Sequence, residues 1–147
     1  MSGKVPPGFE PLPVPGAFIA ANGPLYIRHD ANGVRMGFRV EERHTNPLAI
    51  CHGGMMASFC DMLLPIVALR TRPEIGLRFL PTVSLQIDYL APAALGSWVE
   101  GRAEVLRVTR TLVFAQGLVD ADGEPAARAS GVLKIGPAFP ALGGVAG

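Results

Sequence analysis

One acid stands alone in the most apolar stretch of this 147-residue chain. Residues 53–69 read GGMMASFCDMLLPIVAL, and apart from Gly and Ser the only polar side chain is Asp61. The run predicts a long helix, Gly53 to Arg70, apolar on nearly all sides and so expected to be buried. An ionised carboxylate in such surroundings is costly unless something compensates it. A functional carboxylate is therefore weighed ahead of a paired or hydrated core aspartate. Gly54, Ala57, Ser58, Pro65 and Ala68 recur around Asp61 at helical spacings of three and four, a stripe of small side chains that lets a ligand or another backbone approach. Pro65 has no N–H for the carbonyl of Asp61 and its ring crowds that carbonyl, so a helix irregularity is expected there.

The helix entry offers the second chemical feature. His52-Gly53-Gly54 precedes the apolar run, and first-turn N–H groups have no intrahelical acceptor. With the positive end of the helix dipole they suit an oxyanion or a polarised carbonyl, which two glycines would let approach the backbone. The plainer reading is a loop-to-helix joint. Asp61 lies seven or eight residues beyond these glycines, about 11 Å along a helix axis. A side chain leaning toward the N-terminus closes only part of that gap. Cooperation between the two features therefore requires two chains, an obligate dimer with interfacial active sites.

Around them the pattern is two strands, one helix, then four strands. Leu25–His29 and Val34–Val40 read as a hairpin joined at Asn32-Gly33, residues that tolerate positive φ. From Thr82 the period changes to two: Val83, Leu85, Ile87 and Tyr89 alternate with polar neighbours. Trp98–Val108, Thr111–Val119 and Ala126–Ile135 follow as strands, with a tight turn at Asp122-Gly123. Residues 1–22, rich in proline, are expected as an extended arm, 23–136 as one domain, and 137–147 as a flexible tail. A single apolar helix with long antiparallel strands implies an α+β sheet wrapped over that helix, the outline of the hot-dog fold.

Composition narrows the function classes. A net charge of +1 with scattered arginines argues against nucleic-acid binding. Apolar residues make up 49% and charged residues 17%, which suggests apolar surface hidden between subunits. Two cysteines, Cys51 and Cys60, form no disulfide framework and point to a reducing, cytoplasmic compartment. The N-terminus lacks the apolar core of a signal peptide, and Met55–Leu69 is taken as too short to span a bilayer. His29, His44 and His52 lack ligand spacing, so no metal is expected; His29 and His44 are assigned to the surface. Cysteine catalysis is set aside because no third group orients Cys51-His52.

The run His44-Thr-Asn46-Pro-Leu-Ala-Ile-Cys-His52-Gly53-Gly54, followed by Asp61, resembles the PaaI-like (phenylacetic-acid-type) hot-dog thioesterases. The likeness extends over Gly23 to Ile135, including Pro81-Thr82-Val83 and Ile87-Asp88-Tyr89-Leu90-Ala91-Pro92-Ala93. It implies hydrolysis of acyl-CoA thioesters without metal or cofactor, coenzyme A being part of the substrate. By that resemblance Asp61 would be general base or nucleophile. Gly53 N–H, with Asn46, would polarise the carbonyl from the partner subunit, and Gly54 belongs to the same binding turn. His52 would hold the loop or assist the departing thiolate, Thr82 would orient the attacking water, and Arg110 would contact coenzyme A phosphates. A homo-oligomer is implied, a dimer or a dimer of dimers, with no nucleic acid and no membrane. Ala49 departs from the family's glycine and Pro65 from a small residue. The alternative function is a non-catalytic acyl-CoA or aromatic-ligand binding module on the same fold. A dehydratase is disfavoured, because its motifs are missing.

Overall fold

The computed structural model describes residues 3–139. Seven strands form one antiparallel sheet: β1 (Glu10–Leu12), β2 (Leu25–Asp30), β3 (Gly33–Arg39), β4 (Thr82–Tyr89), β5 (Trp98–Val108), β6 (Leu112–Ala121) and β7 (Glu124–Lys134). Their spatial order is β1-β2-β3-β5-β6-β7-β4, so β4, which follows the helix in sequence, lies at the far edge. Two α-helices, α1 (Ala17–Asn22) and α2 (Gly53–Thr71), and two single 3-10 turns complete the elements of the described residues. The fold is the hot-dog arrangement expected from the sequence, with β5, β6 and β7 wrapped against α2.

Close approach between helix and sheet depends on missing side chains. A Cβ at Gly101 of β5 would stand 2.7 Å from Leu63, one at Gly117 of β6 3.3 Å from Leu63, and one at Gly131 of β7 2.8 Å from Leu64. These three inward-facing glycines seat the leucines of α2 at the centre of the core. Met55, Met56, Phe59, Cys60, Leu63, Leu64, Val67 and Ala68 form the buried side of the helix. The α2 segment is 19 residues with a mean hydropathy of 1.3. By length and composition it could cross a membrane, contrary to the expectation from Met55–Leu69; seating in the sheet accounts for its apolarity. It runs unbroken through Pro65, which is only half-buried.

Several local expectations change. The N-terminal arm is not wholly extended: β1 pairs with β2, and α1 follows. Phe9 of this segment packs edge-on against Trp98 at 5.1 Å, which removes apolar surface on the outer face from water. Of Asn32-Gly33 only Gly33 takes a positive φ, whereas Asp122 and Gly123 both do. Residues 77–79 and 136–139 tie to one another through Phe79 N–H to Pro137 O and Gly136 N–H to Phe79 O, with an Arg78–Ala138 bridge. The first residues of the expected tail, 137–139, are thus held; residues 140–147 lie outside the described residues. His44 is buried, not on the surface: its Nδ1 accepts from Glu41 N–H at 3.0 Å and its Nε2 meets Asn22 O at 2.6 Å. Both ring nitrogens are satisfied, which permits burial of a polar ring.

Candidate active site

Asp61 is exposed in the single chain, not sunk in the core. The apolar run misleads because the sheet covers only one side of α2. Gly54, Ala57, Ser58 and Pro65 share the uncovered side with Asp61, whereas Ala68 from the expected stripe is buried. The carboxylate is held by one neighbour: Thr82 donates its hydroxyl to Asp61 Oδ1 at 2.6 Å, short enough for a charge-assisted bond. Thr82 opens β4 beside a break in the strand register between Thr82 and Ser84.

The helix entry is shaped by backbone bonds. His52 is the N-cap, and its Nδ1 accepts from Gly54 N–H at 2.8 Å. That assigns the proton of the neutral ring to Nε2. Gly54 N–H is therefore committed to the cap and does not serve as a second free donor. Gly53 N–H makes no hydrogen bond among the described residues. Tyr89, at the end of β4, donates its hydroxyl to Gly53 O at 2.7 Å. Sequence reading placed Tyr89 only as a strand residue. The signal was there, since its alternation with Leu85 and Ile87, which pack on the core, puts it on the helix side of β4.

Asn46 builds the preceding loop. Its Oδ1 accepts from Leu48 N–H at 2.9 Å and Ile50 N–H at 3.4 Å, and its own N–H donates to Ile50 O. The side-chain amide nitrogen makes no hydrogen bond among the described residues. The loop forces Ala49 to φ 57°, the left-handed region that favours glycine. Arg110 is exposed at the β5–β6 turn, at the same end of the sheet as Thr82.

Within one chain the groups fall into two pairs, Asp61 with Thr82 and Gly53 with Tyr89, one at each end of β4. A cavity of about 740 Å³ lined by Gln86, Arg102, Gln116 and Arg128 includes none of these four. The thiols are not nucleophiles at neutral pH. Burial pushes Cys51 up to about 11, and burial with the nearby charges of Asp61 and Cys51 pushes Cys60 up to about 12. Among the described residues no three His, Cys, Asp or Glu side chains converge as metal ligands.

A long helix cradled by a wrapped antiparallel sheet, with an acid on its open side and a bare amide at its start, defines a hot-dog protein. Residues 48–127 match the thioesterase superfamily, and the chain belongs to that family. It is 28% identical to a Pseudomonas aeruginosa protein named as an esterase, over 90% of this chain and 98% of that one. It is also 35% identical to mouse acyl-coenzyme A thioesterase 13, over 52% of this chain and 53% of the mouse protein. Among solved structures, a phenylacetic acid degradation-related protein of Ralstonia eutropha shares the fold with a TM-score of 0.70, at 22% identity over 83% of this chain and 92% of that one.

Proposed function

We propose that the protein hydrolyses acyl-CoA thioesters to the free acid and CoA, as a dimer whose active sites each combine Asp61 of one protomer with Gly53 N–H of the other. The observation that carries this reading is the placement of the two pairs on β4. That strand pairs with β7 on one side only. Its exposed apolar residues, Val83 at 62% and Tyr89 at 56%, with Leu90 just beyond its end at 50%, are poorly suited to water. Two β4 edges pairing antiparallel about a two-fold axis would lay the Asp61–Thr82 end of one protomer beside the Gly53–Tyr89 end of its partner. The separation of roughly 11 Å along one helix is then bridged across the interface.

In this arrangement the thioester carbonyl oxygen accepts from Gly53 N–H and the Asn46 side-chain amide of one subunit. Asp61 of the other subunit, held in line by the Thr82 hydroxyl, removes a proton from water as that water attacks the carbonyl carbon; alternatively Asp61 attacks the carbon itself, and water then hydrolyses the mixed anhydride left when the thiolate departs. The negative charge gathers on the carbonyl oxygen and then returns as the C–S bond breaks. His52 Nε2–H, on the amide-bearing turn, would donate to the departing thiolate. Arg110 supplies positive charge for coenzyme A phosphates, and Gly54 belongs to the capped turn without donating to substrate. The chemistry asks for water, a carboxylate and an amide, with no metal or redox group. The mouse relative, an acyl-coenzyme A thioesterase by name, supports CoA esters as substrates. Two free thiols fit a cytoplasmic setting, and light scattering would read the assembly as a dimer or a dimer of dimers.

The test is release of free thiol from aryl- and medium-chain acyl-CoA esters by the wild type and by Asp61→Asn. The variant is expected to lose at least ~3 kcal/mol of transition-state stabilisation, about 100-fold in rate. Normal turnover by Asp61→Asn would overturn the assignment.

A further inference from the structure

We infer that Tyr89 is a positioning residue for the thioester site, one that aims the Gly53 N–H by clamping the peptide that follows it. The inference rests on the thioesterase reading above.

The peptide between Gly53 and Gly54 is gripped at both ends. Its carbonyl accepts from the Tyr89 hydroxyl at 2.7 Å, and its N–H donates to His52 Nδ1 at 2.8 Å. Both flanking residues are glycines, whose backbone torsions are the least restrained of any residue type. Left to themselves, these first helical positions would fray. With the peptide plane held from two directions, only the torsions about Gly53 separate it from the neighbouring N–H, the one left unbonded. The grip comes from different elements, the helix cap and the end of β4, so it also fixes how far the strand end stands from the helix entry. The Tyr89 ring lies over the Gly53 α-carbon: a Cβ there would meet its hydroxyl oxygen at 3.5 Å and ring carbons at 3.6 Å. The ring thus forms one wall of the approach to the amide. Burial raises the phenol pKa, with the neighbouring cysteines adding to the effect, so the hydroxyl stays a donor across the working pH range.

An amide aimed in advance matters mainly in the transition state, where charge develops on the oxygen. Loss of the clamp should lower kcat and leave substrate binding nearly alone. Tyr89→Phe keeps the ring and removes only the donor. The expected result is a kcat about tenfold lower with KM within about twofold. Amide hydrogen exchange at Gly54 should be at least about tenfold faster, while exchange in β6 and β7 stays unchanged. An active wild type matched by Tyr89→Phe in kcat would overturn the role of Tyr89 and leave the thioesterase reading standing. Unchanged Gly54 exchange would likewise overturn the clamp. So would faster exchange throughout the core, with kcat and KM shifting together, since that marks a merely structural contact. A wild type inert on every acyl-CoA ester tested would sink the thioesterase reading itself, and the catalytic role of Tyr89 with it.

Discussion

At the Thr82 end of β4 a carboxylate is held by a hydroxyl; at the Tyr89 end a backbone amide is left bare by a peptide gripped on both sides. The first end is made of side chains, each of which can be deleted by substitution. The second is made of main chain, and its side chains act by holding it still. The difference teaches where each kind of candidate group can be found. A lone acid in an apolar run is conspicuous by composition, whereas an unbonded N–H looks like any other until its neighbours are seen to be occupied.

Gly53→Pro tests the amide end most severely. Proline suits the first helical position, and His52 at φ −59° and ψ 136° already has the extended backbone favoured before proline. The substitution removes the N–H while keeping the helix start, so turnover should fall about 100-fold with little change in melting temperature. Wild-type rates in this variant would remove the amide from the mechanism. Co-assembly of Gly53→Pro with Asp61→Asn then sharpens the comparison between chains. A mixed dimer keeps one intact site, and statistical mixing should restore about a quarter of wild-type activity. No recovery would place both groups in the same protomer.

Thr82→Val weakens the carboxylate end by deleting one hydroxyl at near-constant volume. A loss of about tenfold in kcat is expected, roughly 1.4 kcal/mol, the scale of one hydrogen bond to a charged group. No change would mean that Asp61 needs no such orientation. Ala49→Gly touches the loop that carries the amide end. Relief of the left-handed strain at position 49 should raise stability by about 0.5–1 kcal/mol in denaturant titration. A lowered midpoint would show that the alanine is not strained.

A last effect is on stability alone, and it is alkaline. Cys51 and Cys60 keep their protons in the fold to about 11 and about 12, against an ordinary value of 9.0. Their contribution to stability is therefore complete below pH 9 and is lost as pH rises from there toward 12. Thermal melts should show a shallower decline over that range in Cys60→Ala than in the wild type; equal slopes would show that this thiol does not contribute.

Much of the framework was legible. The two-residue period after Thr82 and the apolar run before it fixed strand and helix identity, because side-chain periodicity reports which faces meet the core. Asp61 and Gly53 stood out in the apolar run and at the helix entry, whereas Thr82 came only from the family resemblance. His44 was misplaced, since its two partners, Glu41 and Asn22, are brought to it only by the fold. Tyr89 was passed over because its hydroxyl acts on a residue 36 positions away. The N-terminal strand and the 77–79 pairing with 136–139 were missed because short segments rich in proline and glycine carry no periodic signal. Burial of Asp61 was overestimated for a related reason: hydropathy counts apolar residues but does not say how much of a helix the sheet will cover.

What the amino-acid order determined by itself was the inventory: one long helix, a set of long strands, an acid set among small residues, and a glycine pair at a helix start. All of these depend on local torsional preference and side-chain period. What only the tertiary structure decided was which side of the helix stays open, which strand end reaches the helix entry to grip it, and which strand lies at the edge. Those outcomes depend on contacts between residues far apart in the chain. Close packing of Leu63 and Leu64 against glycines on three strands turns one side of the helix inward, and no local stretch of sequence contains that geometry.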